Sequence, residues 1–416
     1  MALRETTTEA RAVPRHRLLG LSDQDVLDMY YYIALARALD ERMWVLQRSG
    51  KAMFVISGPG HEGCQVGAMW PMDKARDWFV PFYRSIAACL VKGMTPTDML
   101  LDLLARDTSP SSGGRQMPGH YGHPRYRILS TSSPVGTQYP HAVGIAYAAK
   151  LRRTGEVTMV AVGDGGTSQG DWHEALNWAG IYKLPILFVV ENNGYAISVP
   201  LHKQVAGGNI AARAAGYGMP GVVADGSDVL ECYRVAREAY ERAKRGEGPT
   251  LIEYRVQRLG SHSSDDQQER YRPREEIEAA RLADPLRTFR AYLEEAGVLD
   301  ERTYQEMMAR IKREIDEATD AAERAPLPDP ESARRYVYAP PQEDPVYWNP
   351  ATPPPGAWRD SPDFSWLAQA PAARPAPSGQ ASSGQAPSGQ PSSGQSPTGQ
   401  APAVPPPTGQ PPAGRP

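Results

Sequence analysis

Two kinds of hydrophobic pattern divide this chain. Near the N-terminus Val26, Met29, Ile33, Leu39, Met43 and Leu46 recur near helical spacing, behind a Ser22/Asp25 capping box and ahead of Gly50. That spacing predicts one long amphipathic helix. In the middle the pattern changes to short continuous apolar runs at 157–162, 186–190, 221–224 and 250–256. Unbroken Val, Ile and Leu bounded by turn residues predict strands buried on both faces, as in a parallel sheet. Between them, 172–182 and 229–245 predict crossover helices, the second opened by Asp228 and Glu231 as another capping box. The expected fold class is α/β, a doubly wound, mostly parallel sheet flanked by helices, from about residue 60 to about residue 260. Residues 273–324, rich in Glu, Arg and Ala and without strand signal, are predicted to be helical and surface-exposed.

Beyond that body the composition shifts. From Pro377 a pentad repeat takes over, PSGQ-ASSGQ-APSGQ-PSSGQ-SPTGQ, in which Arg415 is the only charged residue and Val404 the only branched aliphatic up to Pro416. Such a segment cannot bury enough apolar surface to offset its ordering entropy, so 371–416 is expected to be a disordered tail. Residues 326–370 are proline-rich but carry Tyr336, Tyr338, Tyr347, Trp348, Trp358 and Trp366. These aromatics suggest an arm packed either on this chain or on another subunit. The expected division is a flexible N-terminus at 1–20, an α/β domain with a helical C-terminal part at 21–325, the arm and the tail.

Charge narrows the partners. Among 416 residues, 45 Lys and Arg face 48 Asp and Glu, a net charge of −3, so nothing electrostatic calls for a nucleic acid or a membrane surface. Cys64, Cys89 and Cys232 are too widely spaced for a metal pair and odd in number, which fits a reducing compartment. No apolar run approaches the ~18 residues of a membrane helix; 184–190 is among the longest and contains Pro185. The N-terminus lacks an apolar signal region, and Glu5 and Glu9 argue against an organelle transit peptide. A cytoplasmic location is expected, or the mitochondrial matrix in a eukaryote.

Each predicted strand runs straight into a polar cluster. The first leads to Gly163-Asp164-Gly165-Gly166-Thr167-Ser168, the second to Glu191-Asn192-Asn193-Gly194-Tyr195, the third to Asp225-Gly226-Ser227, and the fourth to Gly260-Ser261-His262-Ser263-Ser264-Asp265-Asp266. The C-terminal ends of parallel strands form one edge, where ligands bind, so the four clusters are expected to share one rim. Asp164 and Asn193, 29 positions apart, offer hard oxygen ligands suited to magnesium on a diphosphate. Glycines beside Asp164 permit close backbone approach, and the following helix start favours an anion. Neither GxGxxG after a strand nor GxxxxGK[ST] occurs, so a Rossmann site and a P-loop do not compete.

The stretch GDGGTSQGDWHEALNWAGIYKLPILFVVENNGYAIS resembles the thiamin-diphosphate motif, GDG followed by NN. Its surroundings are similar to the alpha subunit of the 2-oxo acid dehydrogenases, most closely the branched-chain type. ARALDERMWVLQRSGK, SGPGHEGCQVG, FYRSIAACLVKG, ILSTSSPVGTQYPHAVGIAYA and GSHSSDDQQERYR carry the resemblance, which covers about residues 20 to 340. It implies thiamin diphosphate and Mg2+ as cofactors, with Asp164, Asn193 and the main-chain carbonyl of Tyr195 on the metal. Tyr83 and Arg84 would hold the diphosphate, where a planar guanidinium fork suits phosphate. Ser133, Pro134 and Val135 would line the aminopyrimidine side, and Gly163, Gly165 and Gly166 belong to the cofactor loop. His262 would stand near the reactive carbon, titrating near neutral pH and able to bind a substrate carboxylate or move a proton. His61 and His141 are weaker candidates, equally compatible with packing. Ser263 lies in a region phosphorylated in some relatives, though nothing in the sequence points to such regulation here.

The resemblance further implies oxidative decarboxylation of a 2-oxo acid, with the acyl unit passing to the lipoyl group of a dihydrolipoyl acyltransferase. The glutamate that activates the cofactor resembles one on a beta subunit, so this chain is expected to be half of an active site in an α2β2 assembly. A pyruvate or acetoin dehydrogenase alpha subunit remains an alternative, with pocket size set near Phe54, Phe82 and His262 and by the beta chain. A non-catalytic scaffold is disfavoured because Asp164, Asn193, Arg84 and His262 are all present. An interaction role for the tail is the third alternative. Gly166-Thr167 departs from the alanines common in relatives.

Overall fold

The computed structural model describes residues 13–334. A short turn, α1 (Arg15–Leu18), precedes α2 (Asp23–Arg48), whose Ser22 and Asp25 form the expected reciprocal capping box. Residues 13–20, assigned by composition to a flexible extension, include this turn and the fully buried His16. Then follow α3 (Glu62–Met69), β1 (Trp78–Val80), α4 (Ile86–Lys92), α5 (Pro96–Leu103) and α6 (Gln138–Arg152). The central part runs β2 (Thr158–Gly163), α7 (Gly170–Tyr182), β3 (Ile186–Asn192), a small antiparallel pair β4 (Tyr195–Ala196) and β5 (Val199–Pro200), β6 (Gly221–Asp225), α8 (Val229–Lys244) and β7 (Thr250–Arg255). Three helices finish the body: α9 (Arg274–Leu282), α10 (Pro285–Glu295) and α11 (Glu301–Arg324).

The five long-range strands pair in parallel in the order β1-β2-β3-β7-β6. Side chains alternate along them between two cores, as the two-residue period requires. Met159, Ala161, Leu187, Val189 and Ile252 face the core built with α2, α3, α4 and α8. Val160, Val162, Ile186, Phe188, Val190 and Leu251 face the other, built with α6 and α7. Helices therefore cover both faces, and the doubly wound α/β expectation holds.

Four details depart from the sequence reading. β1 was not predicted: three residues between Asp77 and Pro81 are too short a run to signal a strand, and it is held along β2 and by a bridge from Phe79 to Ile128. Residues 273–324 are helical but not simply exposed. Ile311, Ile315, Ala318 and Ala322 form a buried stripe on α11, whose charged remainder had dominated its composition. Asp228 caps α8 by accepting from the N–H groups of Leu230 and Glu231, but Glu231 does not return the bond; it pairs with Arg234 at 2.6 Å. The rim is not shared equally either, because β7 separates β6 from β3.

At the start of the arm the chain lies against its own body: the Asp107 N–H donates to the Pro326 carbonyl at 3.1 Å, and in the turn at Pro330–Arg334 the buried Ser332 accepts through its carbonyl from Arg115 at 3.5 Å. The arm's aromatic residues and the repeat tail lie outside the described residues. Among the described residues, no helix is long and apolar enough to cross a membrane.

Candidate active site

The register that pairs Gly163 with Glu191 brings the ends of β2 and β3 out side by side. Asp164 then opens a 3-10 turn leading to α7, and Asn193 opens the turn leading to β4. Asp164 is 1% exposed; its Oδ1 accepts from the Asn193 N–H at 3.3 Å and its Oδ2 from the Gln204 amide at 2.9 Å. Burial pushes its carboxyl above the ordinary range, because desolvation penalises the charged form. Asn193 Oδ1 accepts from the Tyr195 N–H at 3.1 Å, and its Nδ2 faces His61 Nε2 at 3.4 Å. The predicted pair is thus brought together, with Tyr195 adjacent.

The turn glycines answer to packing as well as to any ligand. A Cβ on Gly166 would lie 2.3 Å from Val162 Cγ2, and one on Gly165 would lie 2.7 Å from Ala196 Cβ. Such overlaps leave no room for a larger residue. At Gly163 a Cβ would make only ordinary contacts, with the Phe82 ring at 3.8 Å and the Glu191 carbonyl oxygen at 4.0 Å. Thr167 is buried and donates to the Asp164 carbonyl at 2.8 Å, so this departure from the common pattern serves the turn.

Across the rim, the loop after β1 and the loop after β7 meet. Arg84, 1% exposed, donates through Nη1 to the Ser57 carbonyl and through Nη2 to His262 Nδ1 at 3.3 Å. Its Nε has no partner among the described residues. The Tyr83 ring meets His262 edge-on at 5.9 Å, while the Arg84 guanidinium lies 5.5 Å from the Tyr83 ring centroid. His262 is itself anchored by its N–H donating to Asp266 at 2.7 Å. Burial, then the Arg84 and Arg258 guanidinium groups, push its imidazole down to about 4, with Asp266 opposing. This corrects the expectation of a histidine titrating near neutrality: it is neutral at pH 7. Because the arginine can only donate, Nδ1 must be the acceptor and Nε2 carries the proton.

Beside these groups opens a cavity of about 240 Å³ lined by Phe54, Ile56, Phe82, Tyr83, Met117–His120, Thr131, Ser132, Ser133, Val135 and Gln138. Ser133, Pro134 and Val135 are exposed, the first and last of them on its lining. His120 joins its two loops: Nδ1 donates to the Met117 carbonyl at 2.7 Å, leaving Nε2 to accept from Ser133 Oγ at 2.9 Å. Nothing in the sequence reading singled out His120, since MPGH carries neither periodicity nor a spacing signal.

Two weaker candidates separate cleanly. His141 is exposed on α6 and is not brought into this cluster. His61 is fully buried, with Nδ1 2.7 Å from Glu191 Oε2, and burial lowers its basicity well below the ordinary value. Gly60 holds it there: at φ +96°, a Cβ would lie 1.8 Å from the Gln257 carbonyl oxygen. Glu191, pushed up to about 8 by burial, opens the second polar cluster but carries no role in the sequence, where it reads as the polar end of an apolar strand. Asp40, raised by burial to about 6, accepts from Ser57 Oγ at 2.8 Å and the Gly58 N–H at 2.9 Å. It therefore fixes the turn whose carbonyl orients Arg84. The third predicted cluster stays apart: Asp225 and Ser227 line a separate cavity of about 380 Å³ with Arg255 and Gln257. Ser263 is buried beneath its own loop.

Residues 30–331 match the model of the dehydrogenase E1 component family. The chain is 53% identical over 325 residues to the 2-oxoisovalerate dehydrogenase subunit alpha of Bacillus subtilis, spanning 78% of this chain and 98% of that protein. It is 40% identical over 319 residues to the 3-methyl-2-oxobutanoate dehydrogenase subunit alpha of Mycobacterium tuberculosis (77% and 84% covered). Against the pyruvate dehydrogenase E1 component subunit alpha of Staphylococcus aureus the identity is 35% over 304 residues (73% and 79%). The matched span contains every group assembled at the rim, from Arg84 to His262, and the chain belongs to the dehydrogenase E1 component family.

Proposed function

We propose that this chain is the alpha subunit of a branched-chain 2-oxo acid dehydrogenase, working with thiamin diphosphate and Mg2+. The observation that carries the reading is the meeting of Asp164 and Asn193 on adjacent strand ends, with a buried arginine and a neutral histidine on the facing loops. The similarity to the Bacillus subtilis alpha subunit over nearly its whole length supports the branched-chain substrate class. A beta subunit would complete the site, in an α2β2 assembly. The acyl acceptor would be the lipoyl group of a dihydrolipoyl acyltransferase.

The residues fit the cofactor. A buried carboxylate, an amide oxygen and a carbonyl are the hard oxygen set that Mg2+ takes, with phosphate completing it. The unpaired Nε of Arg84 leaves a buried donor for an anion. Asp164, Asn193 and the Tyr195 carbonyl would hold the metal, and Arg84 with Tyr83 the diphosphate. Ser133, Pro134 and Val135 would line the ring side, with the Gly163–Gly166 turn beneath. When bound, thiamin diphosphate supplies the carbon nucleophile and the electron sink for loss of carbon dioxide. The chain's own work is placement and hydrogen bonding. A cation would relieve the desolvation cost of Asp164. His262, kept neutral with its proton on Nε2, would donate to a carboxylate or developing alkoxide oxygen without adding charge. Arg84 enforces that tautomer through Nδ1. Phe54, Phe82 and Ile56 give the cavity an apolar wall suited to a branched aliphatic chain.

The test is oxo-acid-dependent reduction of an artificial electron acceptor by this chain co-expressed with its beta subunit, supplied with Mg2+ and thiamin diphosphate. Preference for 3-methyl-2-oxobutanoate or 4-methyl-2-oxopentanoate over pyruvate is expected. Preference for pyruvate would keep the cofactor but replace the substrate. No turnover with any of them, despite bound cofactor, would overturn the proposal.

A further inference from the structure

We propose that His61 and Glu191 are positioning residues that lock the side-chain amide of Asn193 with its oxygen turned toward the cation site. The inference rests on the reading of Asn193 as a cation ligand, and it explains a buried pair that the reaction itself does not use.

The network has a direction, because backbone donors anchor both ends. At one end, the Tyr195 N–H donates to Asn193 Oδ1 at 3.1 Å, so the amide nitrogen is the atom turned toward His61. That Nδ2 can only donate, and His61 Nε2, 3.4 Å away, must therefore accept. The proton of the neutral imidazole then sits on Nδ1 and is given to Glu191 Oε2 at 2.7 Å. At the other end, the Ala87 N–H donates to Gln65 Oε1 at 3.0 Å, which leaves Gln65 Nε2 to donate to the same Glu191 Oε2 at 2.9 Å and to the Arg84 carbonyl at 2.9 Å. Glu191 Oε2 thus accepts twice, whichever protonation state the carboxyl holds.

The chain of bonds has a functional corollary. An asparagine amide can be turned over at little cost when nothing distinguishes its two ends, and a turned amide would present N–H groups to a cation. Here the turned form would place Oδ1 against the lone pair of His61 Nε2 and Nδ2 against the Tyr195 N–H. Both contacts would be repulsive, so one orientation survives. His61, Glu191 and Gln65 are all buried, and of the three only His61 touches the Asn193 amide, with the other two behind it, whereas Asp164 accepts from the Asn193 backbone N–H at the neighbouring strand end.

The experiment measures calorimetric binding of thiamin diphosphate by the complex of this chain with its beta subunit across a magnesium series. His61→Leu and Glu191→Leu are expected to raise the half-saturating magnesium concentration by about 10- to 100-fold, as loss of a group that orients a metal ligand does. His61→Gln, whose amide can donate to Glu191 and accept from Asn193, should stay within about threefold of wild type on the same scale. Glu191→Gln, which keeps an acceptor in place, should do likewise. Should the leucine variants fail to assemble, His61→Asn carries the same expectation as His61→Leu, since it stays polar but is too short to reach both partners. Unchanged magnesium dependence in His61→Leu or His61→Asn overturns the lock. Asn193→Ala separates the two ideas. If it shifts the magnesium dependence while the His61 variants do not, only the lock falls; if it shifts nothing, the cation-ligand reading falls and the lock with it.

Discussion

Asp164, just past β2, and Asp225, at the end of β6, stand at strand ends of the same sheet in almost the same letters, one followed by Gly-Gly-Thr-Ser and the other by Gly-Ser. Their surroundings could hardly differ more. Asp225 is exposed and accepts from the N–H and hydroxyl of Ser227 two residues on, a local turn. Asp164 is buried and accepts from groups 29 and 40 residues away. Strand order makes the difference. β2 and β3 are neighbours, so the turns that leave them face one another, whereas β6 stands at the sheet edge beyond β7. A strand-Asp-Gly signature therefore marks a site only where the loop leaving the neighbouring strand turns toward it: the end of β7 pairs with Asp225 at Arg255, yet its loop leads elsewhere. The loop after β7 sits between these two regions and bends to the Asp164 side, where His262 meets Tyr83 and Arg84.

The largest effect separates the two aspartates directly. Asp164→Ala is expected to abolish magnesium-dependent thiamin diphosphate binding by the assembled complex, while Asp225→Ala leaves it at the wild-type level. Calorimetry on both variants checks this, and equal losses would erase the distinction. Next comes the loop that chooses a side. His262→Ala should keep cofactor binding but lower the rate of lipoyl acylation by about 100- to 10,000-fold, the usual worth of a positioned proton donor. Stopped-flow acylation of a lipoyl domain measures it, and an unchanged rate would make the histidine structural.

A smaller effect concerns a glycine in the turn that follows each aspartate, Gly226 after Asp225 and Gly166 two residues beyond Asp164. A Cβ on Gly226 would lie 2.3 Å from Val256 Cγ1 and 2.9 Å from the Arg255 carbonyl oxygen. Gly226→Ala should therefore destabilise the fold by about 1–3 kcal/mol through overpacking, with cofactor affinity unchanged. Thermal unfolding paired with calorimetry tests both halves. Gly166→Ala meets Val162 and Val135 at the other rim, so there stability and cofactor binding should fall together.

Much of this site was legible before any coordinates, for reasons that are local. Continuous apolar runs declare strands buried on both faces, and polar residues just past them declare a rim. Asp164 and Asn193 needed only the adjacency of consecutive strands. What the letters could not carry is tertiary. Nothing in 221–224 says that β7 will insert between β3 and β6. Nor does SGPGHEG say that His61 will be buried against Glu191, because a turn histidine is ordinarily solvated; the contact depends on Gly60 bringing the turn against Gln257. The depressed basicity of His262 likewise arises first from burial and then from Arg84 and Arg258, which are distant from each other in sequence. Even α11 misled by composition, since four buried apolar positions among many charged ones decide how it packs.

Asp102 offers the finest control on the comparison, for it is as buried as Asp164 but lies behind the cavity wall, where it accepts from the Gly119 N–H at 3.0 Å. Burial raises its carboxyl to about 6 from 3.8. Between those values the folded state holds a proton that the unfolded state has released, so Asp102 costs nothing below about pH 4 and progressively more as pH rises to about 6. Asp102→Asn keeps an oxygen for Gly119 and removes the ionisation. Its stability relative to wild type should therefore improve as pH climbs through that window and level off above it. One pKa unit is about 1.4 kcal/mol, and after relaxation of the site a gain of about 1–2 kcal/mol is expected. Thermal unfolding of the two proteins from pH 4 to pH 8, without magnesium or cofactor, measures the curve. His262 imposes the opposite slope from about pH 4 to its ordinary 6.5, because there it is the unfolded state that takes up the proton. That contribution is common to both proteins and cancels in the difference, so a flat difference curve would mean that Asp102 is not ionised against its burial.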